Sequence, residues 1–543
     1  MKKNIYIAAM ALLAVPAMAQ ETYVNANLAT EDLNGTARYV GMGGAMEALG
    51  ADISTIHSNP AGLGLFRKSN FSLSAGMVSQ EDGKNFGGGN VTNVSFDQVG
   101  FVWANQISAT DFVNFSFNYH KSRNFNQFLH AADALDHASQ NKLTYAKDKM
   151  PNDLLYEYSG QRPLFNRPYL SCSLLDDMYA QSLLYQPTDP VNPWGYYDGD
   201  AYNMDRSHSG YIGEYDFSLS GNVNNSFYWG ITIGVHDVHY KHYGEYSESL
   251  IGDDNYFPTK GTVTVADDRS ITGSGADIKL GAIVRPVAES PFRFGIYVST
   301  PTWYSLTTSN YTTLSSYGRF SDGTSANRNL AQRNESYRFK LYTPWKFGLS
   351  LGHTIGTQLA MGLSYEFADY GSIDSRYRTD GDYDDYDDSE SDEDMNRHTS
   401  ATLKGVSTLK MGVEYKPDPA LAVRFGYNYV SPMYKKGGYL DPGINSEGVF
   451  YSTTTDYTNW EATHRFTCGL GFQTGQWNLG VAYQYSAQNG RFSPFTSYDD
   501  EASRFMHFTS YDDKTILYDD CVVGDVKVSN KRHQVLLTAN YTF

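Results

Sequence analysis

The sequence predicts an all-β protein, a transmembrane antiparallel β-barrel of about fourteen strands. Three observations carry that expectation. Apolar residues recur at every second position in paired segments joined by short turns. Aromatic residues make up 15% of 543 residues, with 44 Tyr and 29 Phe, although the mean hydropathy is only -0.47. No stretch after the first twenty residues approaches 18 consecutive apolar positions, so helical spans are excluded. A barrel strand needs to be apolar on one face only, with aromatic girdles at both interfaces, and this composition suits both demands.

Taken in order, the chain starts with Lys2 and Lys3 ahead of an apolar run from Ile5 to Val15, followed by Ala17-Met18-Ala19, a small-x-small cleavage site. Residues 1–19 therefore read as a secretory signal peptide. The run is too short to span a bilayer, and no Cys follows it to accept a lipid. The expected location is the bacterial outer membrane.

Strands are expected near 71–79, 97–105 and 111–122, and then in hairpins. Phe227, Trp229, Ile231, Ile233 and Val235 alternate with small or polar residues and follow Tyr215, Phe217 and Leu219 across a turn. Further pairs are Ile278–Val284 with Phe292–Val298, Phe347–Leu351 with Leu359–Phe367, Leu409–Tyr415 with Val423–Tyr429, and Phe466–Phe472 with Trp477–Tyr485. In the last strand Val535, Leu537, Ala539, Tyr541 and Phe543 share one face, Gln534, Thr538, Asn540 and Thr542 the other, and Leu536 is the exception. A terminal aromatic there resembles the assembly signal of outer-membrane barrels, so the barrel-assembly machinery and outer-membrane lipids are expected partners. A soluble sandwich or propeller would also supply many strands but needs no wholly apolar outward face.

Long connections are expected at 123–210, 242–272, 303–340, 371–400, 435–460 and 489–528, and short turns at the opposite end, the extracellular and periplasmic ends of such a barrel. The first contains the helix-compatible run "FLHAADALDHASQNKLTYAKDKM" and Leu154, Leu155, Tyr156 and Phe165, candidates for an apolar ligand-capture groove.

Before the first strand stands "GMGGAMEALGADISTIHSNPAGLGLF", residues 41–66. It lacks the last glycine of the dinucleotide-binding G-x-G-x-x-G, and no apolar strand precedes it. Gly43, Gly44, Ala45 and Ala48 permit close backbone approach, Met42, Ala45, Met46 and Leu49 could line one side of a short helix, and Pro60 sets a turn after Asn59, whose amide can bond the backbone.

A barrel of this size preceded by a small-residue segment ending in Asn59-Pro60-Ala61-Gly62 resembles the FadL/TodX family of outer-membrane transporters for long-chain fatty acids and hydrocarbons. "LAVRFGYNYVSP" at 421–432 is similar to a family strand motif ending in Ser-Pro. The resemblance implies three parts: the signal peptide at 1–19, a hatch at 20–68 that plugs the barrel, and the barrel with long extracellular loops at 69–543. Gly43, Gly44 and Asn59 to Gly62 then form the hatch motif. The implied function is passive uptake of a hydrophobic small molecule by a monomer, past the hatch; haem uptake, a general porin and a surface adhesin are the alternatives. Two departures stand out. "YVNANLATEDLNGTARYV" does not match the fatty-acid branch, and Phe112–His120 has neither Gly nor Pro where the family's third strand kinks to open a lateral exit.

The other constellations point away from chemistry. His236, His239 and His242 cannot all converge on a metal or haem unless the strand has already ended, because strand residues three apart face opposite ways, so they read as girdle or loop histidines. The acidic run at 380–394 lacks the glycine and spacing of an EF-hand loop and reads as a solvated outer loop, with loose divalent-cation binding as its alternative. Ser139 to Lys142 matches S-x-x-K without its companion motifs, and G-x-S-x-G is absent, so no enzyme is expected. No cofactor and no metal are assigned. A net charge of -18 disfavours nucleic acid. Of three cysteines, Cys468 falls in a strand, while Cys172 and Cys521 fall in loops and could pair.

Overall fold

Strands form where the sequence alternates, because successive side chains of a pleated chain point to opposite faces and only one face here meets lipid. The structure, a computed structural model, describes residues 21–148, 174–183, 196–252, 260–319, 323, 325–379, 388–440, 446, 452–497 and 521–543. Fourteen staves follow one another in sequence order. They are β1 Asn70–Gln80, β2 Thr92–Gln106, β3 Phe112–Asn124 resuming at Gln127–Ala134, β4 Asp198–Val223, β5 Phe227–Ile251, β6 Lys260–Val284 and β7 Arg293–Ser299 resuming at Trp303–Arg319. The second half comprises β8 Ser325–Tyr342 resuming at Lys346–Ile355, β9 Leu359–Asp369 resuming at Asp374–Arg378, β10 Gly405–Asp418, β11 Leu421–Val430, β12 Tyr457–Thr474, β13 Trp477–Ser493 and β14 Val526–Thr542. Every pairing is antiparallel, and β14 pairs back onto β1 from Asn70↔Thr542 to Gln80↔Arg532, so the sheet closes on itself. Closure removes the unpaired edges that lipid cannot satisfy.

The two faces are inverted relative to a soluble domain. Phe71, Leu73, Phe217, Leu219, Ile231, Ile233, Leu349, Phe425, Phe466 and Leu537 are exposed on the outside, whereas Ser72, Ser74, Asn114, Ser116, Asn118, Asp216, Ser218 and Thr538 are buried inside. Asn114, Ser116 and Asn118 thus give the third strand a polar inward face. Leu536, the exception in the last strand, is fully buried and packs with Ala482 against Ala37 and Val40 of the N-terminal segment.

One end carries the short turns, at 224–226, 356–358, 419–420 and 475–476. The opposite end differs from the expectation. The connections expected at 242–272 and 303–340 are mostly strand: β5 and β6 pair without interruption from Phe227↔Val284 to Ile251↔Lys260. These strands, of 25 residues each, far outreach the nine to eleven or so that a bilayer requires. Beyond the lipid the outward face need not be apolar, so the hydropathy signal fades while the backbone ladder continues. Likewise the first part of the helix-compatible run is strand, Gln127–Ala134, and a helix begins only at Gln140.

Candidate functional site

Residues 21–69 run down the lumen from the long-strand end to the short-turn end. They contain helix α1 Thr22–Leu28, the five-residue helix α2 Ala37–Gly41, and two 3-10 turns, Ile53–His57 and Pro60–Leu65. Thr36 caps α2 by accepting from the Tyr39 amide, and Asp52 caps the first 3-10 turn through the Ser54 amide. Met42 to Leu49 is a series of turns and not the short helix the sequence suggested, because Gly43 and Gly44 adopt positive φ of 63° and 82° and end α2. Met42, Met46 and Leu49 still share one environment, buried with Leu33 and Tyr39.

The wall makes room for this segment with glycine. Gly352, Gly362, Gly412 and Gly426 are register partners across β8, β9, β10 and β11. A Cβ on Gly362 would stand 1.9 Å from the Ala45 carbonyl oxygen, on Gly412 2.2 Å from that of Met42, and on Gly426 2.2 Å from the Gly43 nitrogen. On the opposite wall a Cβ on Gly281 would lie 2.0 Å from Asn59 Oδ1 and one on Gly230 2.4 Å from the Pro60 carbonyl carbon. This stripe of wall glycines was visible in the sequence only as glycines at inward strand positions; nothing there linked them to one another.

Asn59 Oδ1 accepts from the Ala61 amide at 3.2 Å, and its Nδ2 donates to the Glu47 carbonyl at 3.1 Å. Pro60 opens the second 3-10 turn, and Ala61 and Gly62 are buried within it. Charged ties join the segment to the wall. Lys410 Nζ donates to Glu47 Oε1 at 2.8 Å and Ser364 donates to Glu47 Oε2 at 2.6 Å. Glu414 accepts from both Arg38 and Arg424, the latter at 2.7 Å. His57 stacks on His120 of β3, ring centroids 4.5 Å apart, and burial holds its imidazole well below the usual range, so it is neutral.

Above this contact zone a cavity of about 240 Å³ opens toward the long strands, lined by Tyr23, Tyr240, Tyr434, Trp460 and Val430 together with Glu21, Arg123, Arg206, Arg269 and Arg465. Burial pushes the Glu21 carboxyl up to about 7. His398, on the outer helix Glu393–Thr402, meets Thr22 Oγ1 at 2.9 Å, and burial lowers its imidazole to about 4.

The β2–β3 ladder stops at Gln98↔His120, with Asp97 left out of register against β1 and a shift between Lys121 and Arg123 against β4. The third strand is thus irregular just past the stretch lacking Gly and Pro. His236 and His242 point inward and are buried, while His239 faces out and pairs with Asp237 at 2.8 Å, so the three do not converge. Leu154, Leu155, Tyr156, Phe165, Cys172 and residues 380–387 lie outside the described residues. Cys521 is buried, its thiol 3.4 Å from the Ser139 carbonyl.

No protein-family model matches the sequence, and neither does any curated protein. Solved structures do align along nearly the whole chain. The Ralstonia pickettii toluene transporter TbuX is 11% identical over 94% of this chain and 99% of its own, at a TM-score of 0.46. A Pseudomonas aeruginosa FadL homologue is 13% identical over 95% and 100%, at 0.48, and the P. putida toluene transporter TodX is 11% identical over 94% and 99%, at 0.46. The chain resembles FadL/TodX-type channels. Its closed barrel stands independently on the strand register.

Proposed function

We propose that the chain is an outer-membrane channel for uptake of hydrophobic small molecules, long-chain fatty acids or aromatic hydrocarbons, which pass a hatch formed by residues 20–68. The observation that carries this reading is the lumen itself: a barrel apolar on its outside is filled at one end by a segment bonded to the wall through Glu47 and Arg38, with a cavity of about 240 Å³ lined by Tyr and Arg side chains on the other side of it. An open porin has no use for such an obstruction. Passage then requires the segment to loosen, and the interrupted β2–β3 ladder supports a sideways route for an apolar ligand. First capture by Leu154, Leu155, Tyr156 and Phe165 belongs to the same proposal.

Planar-bilayer conductance and saturable ligand binding test it together. The full-length protein is expected to carry little steady current and to bind a fatty acid or an aromatic hydrocarbon saturably. Large, stable channels in the wild-type protein would establish a porin instead, and haem binding without fatty-acid or hydrocarbon binding would establish the haem alternative.

A further inference from the structure

Beside His57, four adjacent strands bring six ionisable side chains together: His120 on β3, Glu214 and Asp216 on β4, His236 on β5, and Asp277 and Lys279 on β6. All are buried. The Lys279 ammonium contacts Glu214 Oε1, Asp216 Oδ1 at 3.2 Å and Asp277 Oδ1 at 2.8 Å. Gly234 leaves the space for this, since a Cβ there would stand 2.4 Å from Asp277 Oδ1 and 2.7 Å from Lys279 Nζ. One ammonium faces three carboxylates. Acidic groups thus outnumber the ammonium in a place where uncompensated charge is costly.

The second carboxylate oxygens turn toward the imidazoles. His120 Nε2 lies 3.5 Å from Glu214 Oε2, and His120 Nδ1 lies 3.5 Å from Asp216 Oδ2. Asp216 Oδ2 has no hydrogen-bond partner among the described residues although the residue is fully buried. One ligand atom from each of His120, Glu214 and Asp216 falls within 4.8 Å of the others. For metal–ligand bonds of about 2.0–2.2 Å, tetrahedral neighbours stand about 3.4 Å apart, so closing this set around an ion asks for only small side-chain adjustments.

We propose that His120, Glu214 and Asp216 bind one divalent transition-metal cation of the Zn²⁺ class. An imidazole with two carboxylates is a donor set for such ions, and three protein ligands leave a fourth coordination position for a small ligand such as water. The charges then balance: the cation offsets Glu214 and Asp216, and Lys279 offsets Asp277, whose Oδ2 meets His236 Nε2 at 3.0 Å. Binding would also fix the ring on which His57 rests. That consequence for passage depends on the hatch reading; the binding does not.

The test is zinc titration of full-length, chelator-stripped protein in detergent, with metal content measured after dialysis and folding checked by heat-modifiable migration. One Zn²⁺ per chain is expected, with affinity at least tenfold weaker in Glu214→Gln and in Asp216→Asn and unchanged in His239→Ala, whose ring lies outside the barrel. Should either carboxylate variant fail to fold, His120→Asn is read in its place, with the same loss expected. Absence of saturable Zn²⁺ binding, or wild-type affinity in the folded variants, would overturn the site and leave protons as the compensating charge. Either result is independent of whether the barrel transports anything.

Discussion

A methyl group placed on the inner wall at Gly362 or Gly412 should open the barrel without weakening it. At Gly362 the new Cβ would stand 1.9 Å from the Ala45 carbonyl oxygen, where ordinary contact begins at 3.4 Å, so one side must give by about 1.5 Å. The wall is paired on both sides at this point, through Gly352↔Gly362 and Gly362↔Gly412, whereas Met42–Ala45 is a run of turns. The N-terminal segment is therefore the part that moves. Overpacking of this kind costs about 1–3 kcal/mol, which changes the ratio of displaced to seated segment about 5- to 150-fold. Strand stability should not fall, since Ala is less costly than Gly within a strand. The assay is single-channel conductance of Gly362→Ala, Gly412→Ala and the double variant, alongside heat-modifiable migration. Higher open probability in correctly assembled barrels is expected, greatest in the double variant. Wild-type conductance in all three would refute the argument that these glycines seat the segment.

Three further outcomes follow from the same contacts. Asn59→Ala removes bonds to the Ala61 amide and the Glu47 carbonyl, costing about 1–3 kcal/mol, and Pro60→Gly loosens the turn; both should alter whole-cell uptake with normal barrel assembly, and unaltered uptake in both would count against a latch. Glu47→Gln takes from the buried Lys410 ammonium the nearer of its two carboxylates, at 2.8 Å, leaving Glu366 at 3.6 Å, so conductance should rise more than in Glu47→Gln/Lys410→Met, where the ammonium is gone as well; equal effects would show that the ion pair does not hold the segment. His398 is neutral in place, with its imidazole lowered to about 4, so its contribution is complete above the ordinary value near 6.5 and is lost as pH falls through 4, about 3 kcal/mol in all. Protease accessibility of the outer helix Glu393–Thr402 should rise across that window in wild type and not in His398→Gln.

The strands that cross the lipid were legible in the sequence because a membrane imposes a strict rule on them: apolar out, polar in, every second residue. Phe227 to Val235 and Gln534 to Phe543 obey it, and even Leu536, which breaks it, does so for a reason the fold supplies, its contact with Ala37 and Val40. Where the strands leave the bilayer the rule lapses, so the ladders of β5 and β6 past His242 read as loop although their backbone bonds continue. The Asn59–Gly62 motif marked its own turn through local chemistry, an amide and a proline side by side. What it touches could not be read, because Gly230 and Gly281 lie about two hundred residues away and meet it only when the barrel closes. The same holds for His120, Glu214, Asp216 and Asp277: each is an ordinary polar residue at an inward position of its own strand. Only the register between four strands turns them into one charged cluster, and register is set by the closure of the whole sheet and not by any single stretch of chain.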